Sequence, residues 1–192
     1  MLSLAEQQHG ILRPSDAAAD GISKAAFNDF VRDHKYERVS HGIYCDPEVW
    51  VDQLCILQLR CPRTVYSHDT ALFLHDLTDQ EPMHYSVTAR TGYNPSHLTK
   101  GGIRVYTVKE ELFTLGLSSC TTPFGNNTVS VYNMERTICD IIRNRSSMEP
   151  QILQDALKRY SRRRDKNLHQ LMDYADRFHI SRILRQYMEV LL

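Results

Sequence analysis

The chain of 192 residues is long enough for one large domain, or for a small domain joined to a medium one, and too long for a mini-domain. A hydrophobic content of 42% and a charged content of 24%, with eight glycines and seven prolines, exclude a disordered or fibrous protein. The apolar runs are far shorter than the roughly 18 residues that a transmembrane helix needs. The first residues lack the basic and apolar regions of a signal peptide, so we expect a cytoplasmic protein.

The 23 basic and 23 acidic side chains balance over the whole chain but not along it. Residues 1–47 hold five basic and seven acidic side chains, residues 48–149 hold nine and eleven, and residues 150–192 hold nine and five. Non-specific binding to nucleic acid depends on neutralising phosphates with Lys and Arg. A protein with this balance is therefore expected to bind nucleic acid with modest non-specific affinity.

The cysteines and histidines give no pattern of a metal site. The five cysteines are odd in number, lie in apolar or strand-like surroundings and include no C-x-x-C pair, and the nine histidines are scattered. Buried free thiols are favoured over a disulfide framework or a metal site. We accordingly expect no metal and no cofactor.

The first 47 residues are predicted to form a winged helix-turn-helix domain. Three helices and a strand–turn–strand hairpin are expected over residues 2–9, 14–19, 24–34 and 36–44. Pro14 suits the first turn of the second helix, and Ser23 is a favourable N-cap for the third. Ile22 and Phe27 are spaced for a hydrophobic staple across that cap. The third helix has the spacing of an inward apolar stripe, made of Phe27, Phe30, Val31 and His34.

The outer side of the third helix carries side chains suited to DNA. In a winged helix this helix enters the major groove, and the hairpin lies on the neighbouring backbone or minor groove. Asn28 can pair bidentately with adenine, and Ala25 can contact a thymine methyl group. The predicted DNA contacts are Ser23, Lys24, Ala25, Asn28, Arg32, Lys35, Arg38, Ser40 and His41.

Two alternatives to this DNA interface stay open. Asp29 and Asp33 lie on the same helix, and carboxylates repel phosphate. The three helices and the hairpin are therefore also compatible with a module that docks on protein. The hairpin residues Arg38, Ser40 and His41 are equally compatible with a solvated turn.

The rest of the chain is predicted to form a linking helix over residues 48–62 and a larger domain over residues 63–192. Cys61-Pro62 ends the linking helix. Three segments alternate with the period of a strand, over residues 84–89, 103–108 and 128–132. They predict a small, mostly antiparallel sheet.

Five helices are predicted in this domain, over residues 68–77, 134–145, 149–160, 166–178 and 182–192. The expected N-caps are Ser67, Asn133, Asp165 and Ser181. Arg136 and Asp140 have the favourable i, i+4 spacing. The predicted fold class is therefore α+β, with a winged helix-turn-helix followed by a mixed domain that ends in a helical cluster.

A basic run lies between two of these helices. It consists of Lys158, Arg159, Arg162, Arg163, Arg164 and Lys166, with one acidic residue among them. Such a run usually forms a solvated loop. The alternative is a phosphate contact, either on DNA or on an RNA-bound partner.

The sequence also contains motifs that bear on an enzymatic function. Ser67-His68-Asp69 contains the residue types of a hydrolase triad, but consecutive residues cannot converge as a triad requires. Metal-assisted cleavage of nucleic acid needs clustered carboxylates with a lysine, and Lys109-Glu110-Glu111 is the nearest approach. We interpret this motif as a polar helix start and expect no catalytic residue.

The order of these elements resembles the AbiEi family, antitoxins of bacterial type IV toxin–antitoxin systems that act in abortive infection and phage defence. In the N-terminal part, Gly-Ile-Ser precedes the recognition helix and Gly-Ile-Tyr closes the hairpin, at residues 21–23 and 42–44. In the C-terminal part, three stretches are similar to family motifs, at residues 67–72, 132–140 and 156–160. The resemblance covers nearly the whole chain.

The resemblance implies two functions. The protein would repress its own operon by binding inverted repeats in the promoter, which allows two copies to pair on DNA. It would also counteract a nucleotidyltransferase toxin encoded beside it, without a stable complex. Repression would belong to the N-terminal domain and toxin neutralisation to the C-terminal one.

Overall fold

The computed structural model describes residues 1–191 and divides into two compact units. The first unit comprises residues 1–62 together with residues 121–129. The second comprises residues 63–120 and the chain from residue 130 onward. The inclusion of residues 121–129 in the first unit has no counterpart in the sequence patterns.

The first unit has the helices and strands of a winged helix. Its elements are α1 (Leu2–Gln7), β1 (Ile11–Leu12), α2 (Pro14–Ala19), α3 (Lys24–Asp33), β2 (Glu37–Ser40), β3 (Ile43–Cys45) and α4 (Gln53–Arg60). The three strands form one antiparallel sheet in the order β1-β3-β2. This arrangement agrees with the predicted winged helix-turn-helix.

Helix α3 is fixed by its cap and by one buried ring. The side chain of Ser23 accepts a hydrogen bond of 3.2 Å from the backbone N–H of Ala26. Phe27 is 1% exposed, and Ile22 packs against its cluster, as the staple predicts. His34, predicted to point inward, is exposed and stacks on Phe30 with ring centroids 4.0 Å apart. That prediction was wrong because His34 is the C-cap residue at the exposed end of α3, where its Nδ1 lies 3.1 Å from the carbonyl oxygen of Phe30.

The second unit combines a five-stranded sheet with helices. Its strands are β4 (Val65–Tyr66), β5 (Ser86–Arg90), β6 (Arg104–Val108), β7 (Leu117–Thr121) and β8 (Thr128–Tyr132), in the order β6-β5-β4-β8-β7. Its helices are α5 (His68–Leu74), α6 (Ser96–Thr99), α7 (Glu110–Phe113), α8 (Met134–Arg143), α9 (Pro150–Arg162), α10 (Leu168–Arg177) and α11 (Ser181–Leu191). The predicted α+β class is confirmed.

The sheet is mixed, which corrects the prediction of a mostly antiparallel one. Strands β4 and β5 pair antiparallel, but β5 pairs parallel with β6 and β4 pairs parallel with β8. The chain between β5 and β6 contains α6, and such a crossover returns the chain to the same end of the sheet, whereas a tight hairpin would reverse it. Strand β4 was not predicted because it is only two residues long.

Helix α8 is buried along almost its full length. The side chain of Asn133 caps it by accepting a hydrogen bond of 2.9 Å from the backbone N–H of Arg136. The guanidinium of Arg136 is 0% exposed and lies between the rings of Tyr132 and Phe178, 4.1 Å and 4.4 Å from their centroids. Its Nε donates to Asp140 at 3.0 Å, so the predicted i, i+4 pair is confirmed.

The remaining caps differ from the prediction. Asn167 caps α10 by accepting from the backbone N–H of Gln170, whereas Asp165 pairs with Arg163 instead. Ser181 is the first residue of α11, and its hydroxyl donates to Asp176. The last residue of the predicted helix over 182–192 lies outside the described residues.

The segment 67–69 forms a buried turn at the start of α5. Ser67 occupies the N-cap position, but its hydroxyl accepts from Thr88 at 2.8 Å and does not cap the helix. His68 has a φ of 50° and stacks on Tyr106 with centroids 3.5 Å apart, and burial lowers its pKa. Asp69 pairs with Arg104 at 3.0 Å. Nδ1 of His68 also lies 3.0 Å from the hydroxyl oxygen of Ser67, whereas Asp69 turns away from both toward Arg104.

The stability of the second unit is expected to depend on the charge that Asp140 supplies to Arg136. Replacement of Asp140 by Ala leaves a buried guanidinium without its counter-charge, so we expect a loss of about 3–5 kcal/mol in the free energy of unfolding in urea. Asp173→Ala is the matched control, because Asp173 forms an exposed i, i+4 pair with Arg177. That variant is expected to change stability by no more than about 0.5 kcal/mol. Equal losses in both variants would contradict the role given to Asp140.

Candidate nucleic-acid interface

The outer side of α3 presents the predicted base-reading residues to solvent. Lys24, Asn28 and Arg32 follow at four-residue intervals and are all exposed, so they form one row along the helix. Ala25 is exposed beside this row. The helix has ten residues and is thus about 15 Å long, which is sufficient for several base steps. The burial of Phe27 on the opposite side determines which residues face outward.

The N-terminal end of α3 provides donors to an anion. The oxygen of Ser23 is engaged in the cap, and its hydroxyl proton can still be donated to a phosphate. The first N–H groups and the helix dipole favour negative charge at the same end. Lys24 adds an exposed ammonium at the first helical position.

Arg32 is engaged by carboxylates of its own helix. Its Nη1 lies 3.0 Å from Asp29, and its Nε donates to Asp33 at 3.0 Å. The hydrogen bond and charge of Asp33, together with the charge of Asp29, raise the pKa of Arg32. A contact of Arg32 with guanine or phosphate therefore requires an exchange of these partners. The cations of this surface without an ion pair among the described residues are Lys24, Lys35 and Arg38.

The wing holds its predicted contact residues together. In the turn between β2 and β3, Gly42 has a φ of 66°, a conformation that favours glycine. Arg38 donates from Nε to the carbonyl of Ser40, and its Nη2 lies 2.8 Å from Nδ1 of His41. These contacts preorganise the guanidinium at the tip of the hairpin. Lys35 lies between α3 and β2, is exposed, and has a φ of 56°.

The basic run in the second unit is partly helical and corrects the prediction of a loop. Helix α9 continues to Arg162, so its last turn includes the start of the run. Two arginines are paired, Arg159 with Asp79 and Arg163 with Asp165. Lys166 donates to the carbonyl of Arg163. Among the described residues, no ion pair engages the remaining members, Lys158, Arg162 and Arg164.

A groove near this run was not predicted from the sequence. It has a volume of about 610 Å³ and is lined by Arg145, Gln154, Leu157, Lys158, Ile183, Gln186 and Tyr187. These residues come from α9, α11 and the turn after α8, which are far apart in the chain. The only local signal is the spacing of Gln154, Leu157 and Lys158 on one face of α9.

The cysteines are free, and four of the five are buried, as predicted for structural thiols. Burial raises the pKa of Cys55 and of Cys120 to about 11, which disfavours the reactive thiolate. Within residues 1–191, no three His, Cys, Asp or Glu side chains form a group suited to a metal ion. In the same range, no helix is both long and apolar enough to cross a bilayer.

The acidic motif at residues 110–111 begins α7, as the prediction of a polar helix start requires. Glu110 pairs with Arg90 at 3.1 Å, and Lys109 occupies the N-cap position. The motif thus has a structural role at the start of this short helix.

Comparisons with known proteins find a similarity to one protein family in the first unit. A family model described as "Transcriptional regulator, AbiEi antitoxin" matches residues 1–45, which span α1 to β3 and contain all the predicted DNA contacts. A crystal structure of the RV2827C protein from Mycobacterium tuberculosis is similar in fold, with a TM-score of 0.59 over 91% of this chain and 69% of that chain. Its sequence is 13% identical, so this likeness concerns the fold alone. No curated protein matches the sequence. Through its first 45 residues, the chain is similar to the AbiEi antitoxin family of transcriptional regulators.

Proposed function

We propose that this protein represses its own operon by binding inverted repeats in the promoter and acts as the antitoxin of a type IV toxin–antitoxin system. The observation that carries the proposal is the exposed row on α3 within the segment that matches AbiEi regulators. The family is a regulatory one, which supports a binding function over an enzymatic function. The proposed site of action is the cytoplasm.

In the proposed complex, α3 lies in the major groove. Asn28 pairs with adenine through its amide, and Ala25 contacts a thymine methyl group. Phosphate contacts come from Ser23, Lys24 and Lys35, and from the wing residues Arg38, Ser40 and His41. Arg32 joins the interface after it leaves Asp29 and Asp33. This surface has few free cations, so its specificity rests mainly on base contacts.

Inverted repeats call for two copies of the protein. A two-fold repeat in DNA is matched by two recognition helices, one for each half-site and about one helical turn of DNA apart. We therefore propose that two copies pair on the promoter. Each copy would contribute one α3 to the major groove.

Toxin neutralisation is assigned to residues 63–192. We propose that this part opposes a nucleotidyltransferase toxin without forming a stable complex. The second unit supports such a separate activity because it has its own hydrophobic core, formed around α8 by α5, α9, α10 and α11.

Promoter binding is expected to depend on Asn28 and Arg38 in different ways. Asn28→Ala should cost about 1–3 kcal/mol of site-specific binding, because it removes a bidentate base contact. Arg38→Ala should weaken binding to all sequences alike and reduce the salt slope by about one. Gel shifts with the protein's own promoter and with unrelated DNA measure both effects, and Lys100→Ala serves as a control in the second unit.

The triple variant Asn28→Ala, Arg32→Ala, Arg38→Ala is the decisive case for promoter recognition. Wild-type affinity of this variant for the promoter would remove α3 and the wing from the interface. Absence of DNA binding by the wild type, together with co-purification of the toxin in a stoichiometric complex, would favour the protein-docking alternative.

Removal of one negative charge from α3 is expected to strengthen DNA binding. Asp33→Asn removes a carboxylate that both repels phosphate and holds Arg32, so non-specific affinity should rise and the salt slope should steepen by up to about one. Asp173→Asn makes the same change in charge beside Arg177 and is the control. The same increase in both variants would show an effect of total charge only.

Repression and toxin neutralisation are expected to separate. In cells that express the neighbouring toxin, the triple variant of α3 and the wing should lose promoter repression but still restore growth. The measurements are a promoter reporter and growth after induction of the toxin. If a folded triple variant lost protection as fully as repression, the assignment of neutralisation to residues 63–192 would be wrong.

A further inference from the structure

The groove in the second unit combines an apolar surface with cations and amides. Leu157 is buried at its base, and Ile183 and Tyr187 are half-buried and pack against the hydrophobic core. Gln154 and Gln186 are exposed at its edge. Among the described residues that line it, Arg145 and Lys158 are the charged ones, and none is a carboxylate.

Two cations of α9 that form no ion pair with the described residues lie in and next to this groove. Lys158 and Arg162 are four residues apart, so they lie on one face of the helix a single turn apart, and both are exposed. Arg159 on the neighbouring face is neutralised by Asp79, and Arg163, directly after the end of the helix, is neutralised by Asp165. Arg145 donates from Nη1 to the carbonyl of Ile142, which leaves its other donors available. Positive charge that is not neutralised is therefore concentrated on the groove side.

Each lining group suits one part of a nucleotide. The ring of Tyr187 can stack on a base, because every base has a π face. The amides of Gln154 and Gln186 both donate and accept, as the edge of a base requires. Arg145, Lys158 and Arg162 can bind phosphates. An acidic peptide would use the cations but would leave the stacking surface without a matching group.

The geometry points to a binding site for single-stranded nucleic acid, with one base against Tyr187 and the adjoining phosphates on Arg145, Lys158 and Arg162. The groove volume of about 610 Å³ is in the size range of small-molecule sites and so matches a single nucleotide. All the lining residues belong to the second unit, so this site is additional to promoter recognition by α3. Because RNA and DNA share the base and the phosphate, these contacts accept either kind of single strand.

The test measures the fluorescence anisotropy of the full-length protein with a labelled 12-nucleotide RNA, the DNA strand of the same sequence, and the corresponding duplex. The sequence is chosen to be unrelated to the promoter. We expect one or both single strands to bind more tightly than the duplex. For three phosphate contacts the slope of log K against log salt should be about −2, because single strands give roughly −0.7 per contact.

Two variants probe the groove directly. Lys158→Glu should weaken binding of the single strand by at least about tenfold, whereas Lys100→Glu, the same change in charge at an exposed site on another element, should change it less than about twofold. Tyr187→Leu keeps an apolar side chain against the core but removes the ring, and should weaken binding about 5- to 150-fold. Tyr187→Phe should retain it. Thermal melting of each variant establishes that the proteins compared are folded.

The possible outcomes separate this site from the promoter site. Asn28→Ala should bind the single strand like the wild type, so failure of promoter binding and failure of this proposal are distinguishable. Binding of RNA, of single-stranded DNA or of both supports the proposal and identifies the sugar. Absence of single-strand binding, or equal losses in Lys158→Glu and Lys100→Glu, overturns it. Binding of a poly-glutamate peptide without binding of any single strand also overturns it, in favour of an acidic protein partner.

Discussion

The buried guanidinium of Arg136 is the interaction on which the second unit depends. Transfer of a cation out of water costs several kcal/mol, and the cost is offset only when charge and hydrogen bonds surround the group. Here Asp140 supplies the charge, the carbonyls of Leu112 and Leu115 accept from Nη1 at 2.6 Å and 2.8 Å, and two aromatic rings cover the faces. One group, Nη2, has no hydrogen-bond partner in the described part of the chain. The two stacked rings compensate in part, because their faces attract a cation.

The buried side chain of Arg136 also restricts the neighbouring backbone at Gly116. Gly116 has a φ of 74°, and a Cβ added there would lie 2.6 Å from the Cβ of Arg136. Only glycine therefore fits both the conformation and the space. Its carbonyl accepts from the backbone N–H of Asn133, the residue that caps α8. The loop before β7, the start of α8 and the ring of Phe178 are thus held around one side chain.

The sequence predicted those features that depend on local spacing. The apolar spacing of α3, the Ser23 cap and the Arg136–Asp140 pair each follow from residues within a few positions of one another. The parallel pairing of β5 with β6 could not be predicted in this way, because strand direction depends on the route of the connecting chain. The same reason explains the groove at Tyr187, whose lining residues are brought together by the packing of α11 against α9. Asp165 was a plausible cap, but α10 begins at Leu168, so Asn167 occupies the N-cap position and Asp165 pairs with Arg163.

The two candidate surfaces use charge in opposite ways, and this difference bears on their functions. On α3, Asp29 and Asp33 neutralise Arg32, so phosphate attraction is weak, and in the proposed complex discrimination would fall to Asn28 and Ala25. A regulator gains from this balance, since excess non-specific affinity would spread the protein over the whole chromosome. At the end of α9, Arg159 and Arg163 are paired, and no ion pair among the described residues engages Lys158 or Arg162 on the neighbouring face. A site of that kind attracts phosphate strongly and discriminates little between bases. These properties suit a ligand that is recognised because it is single-stranded.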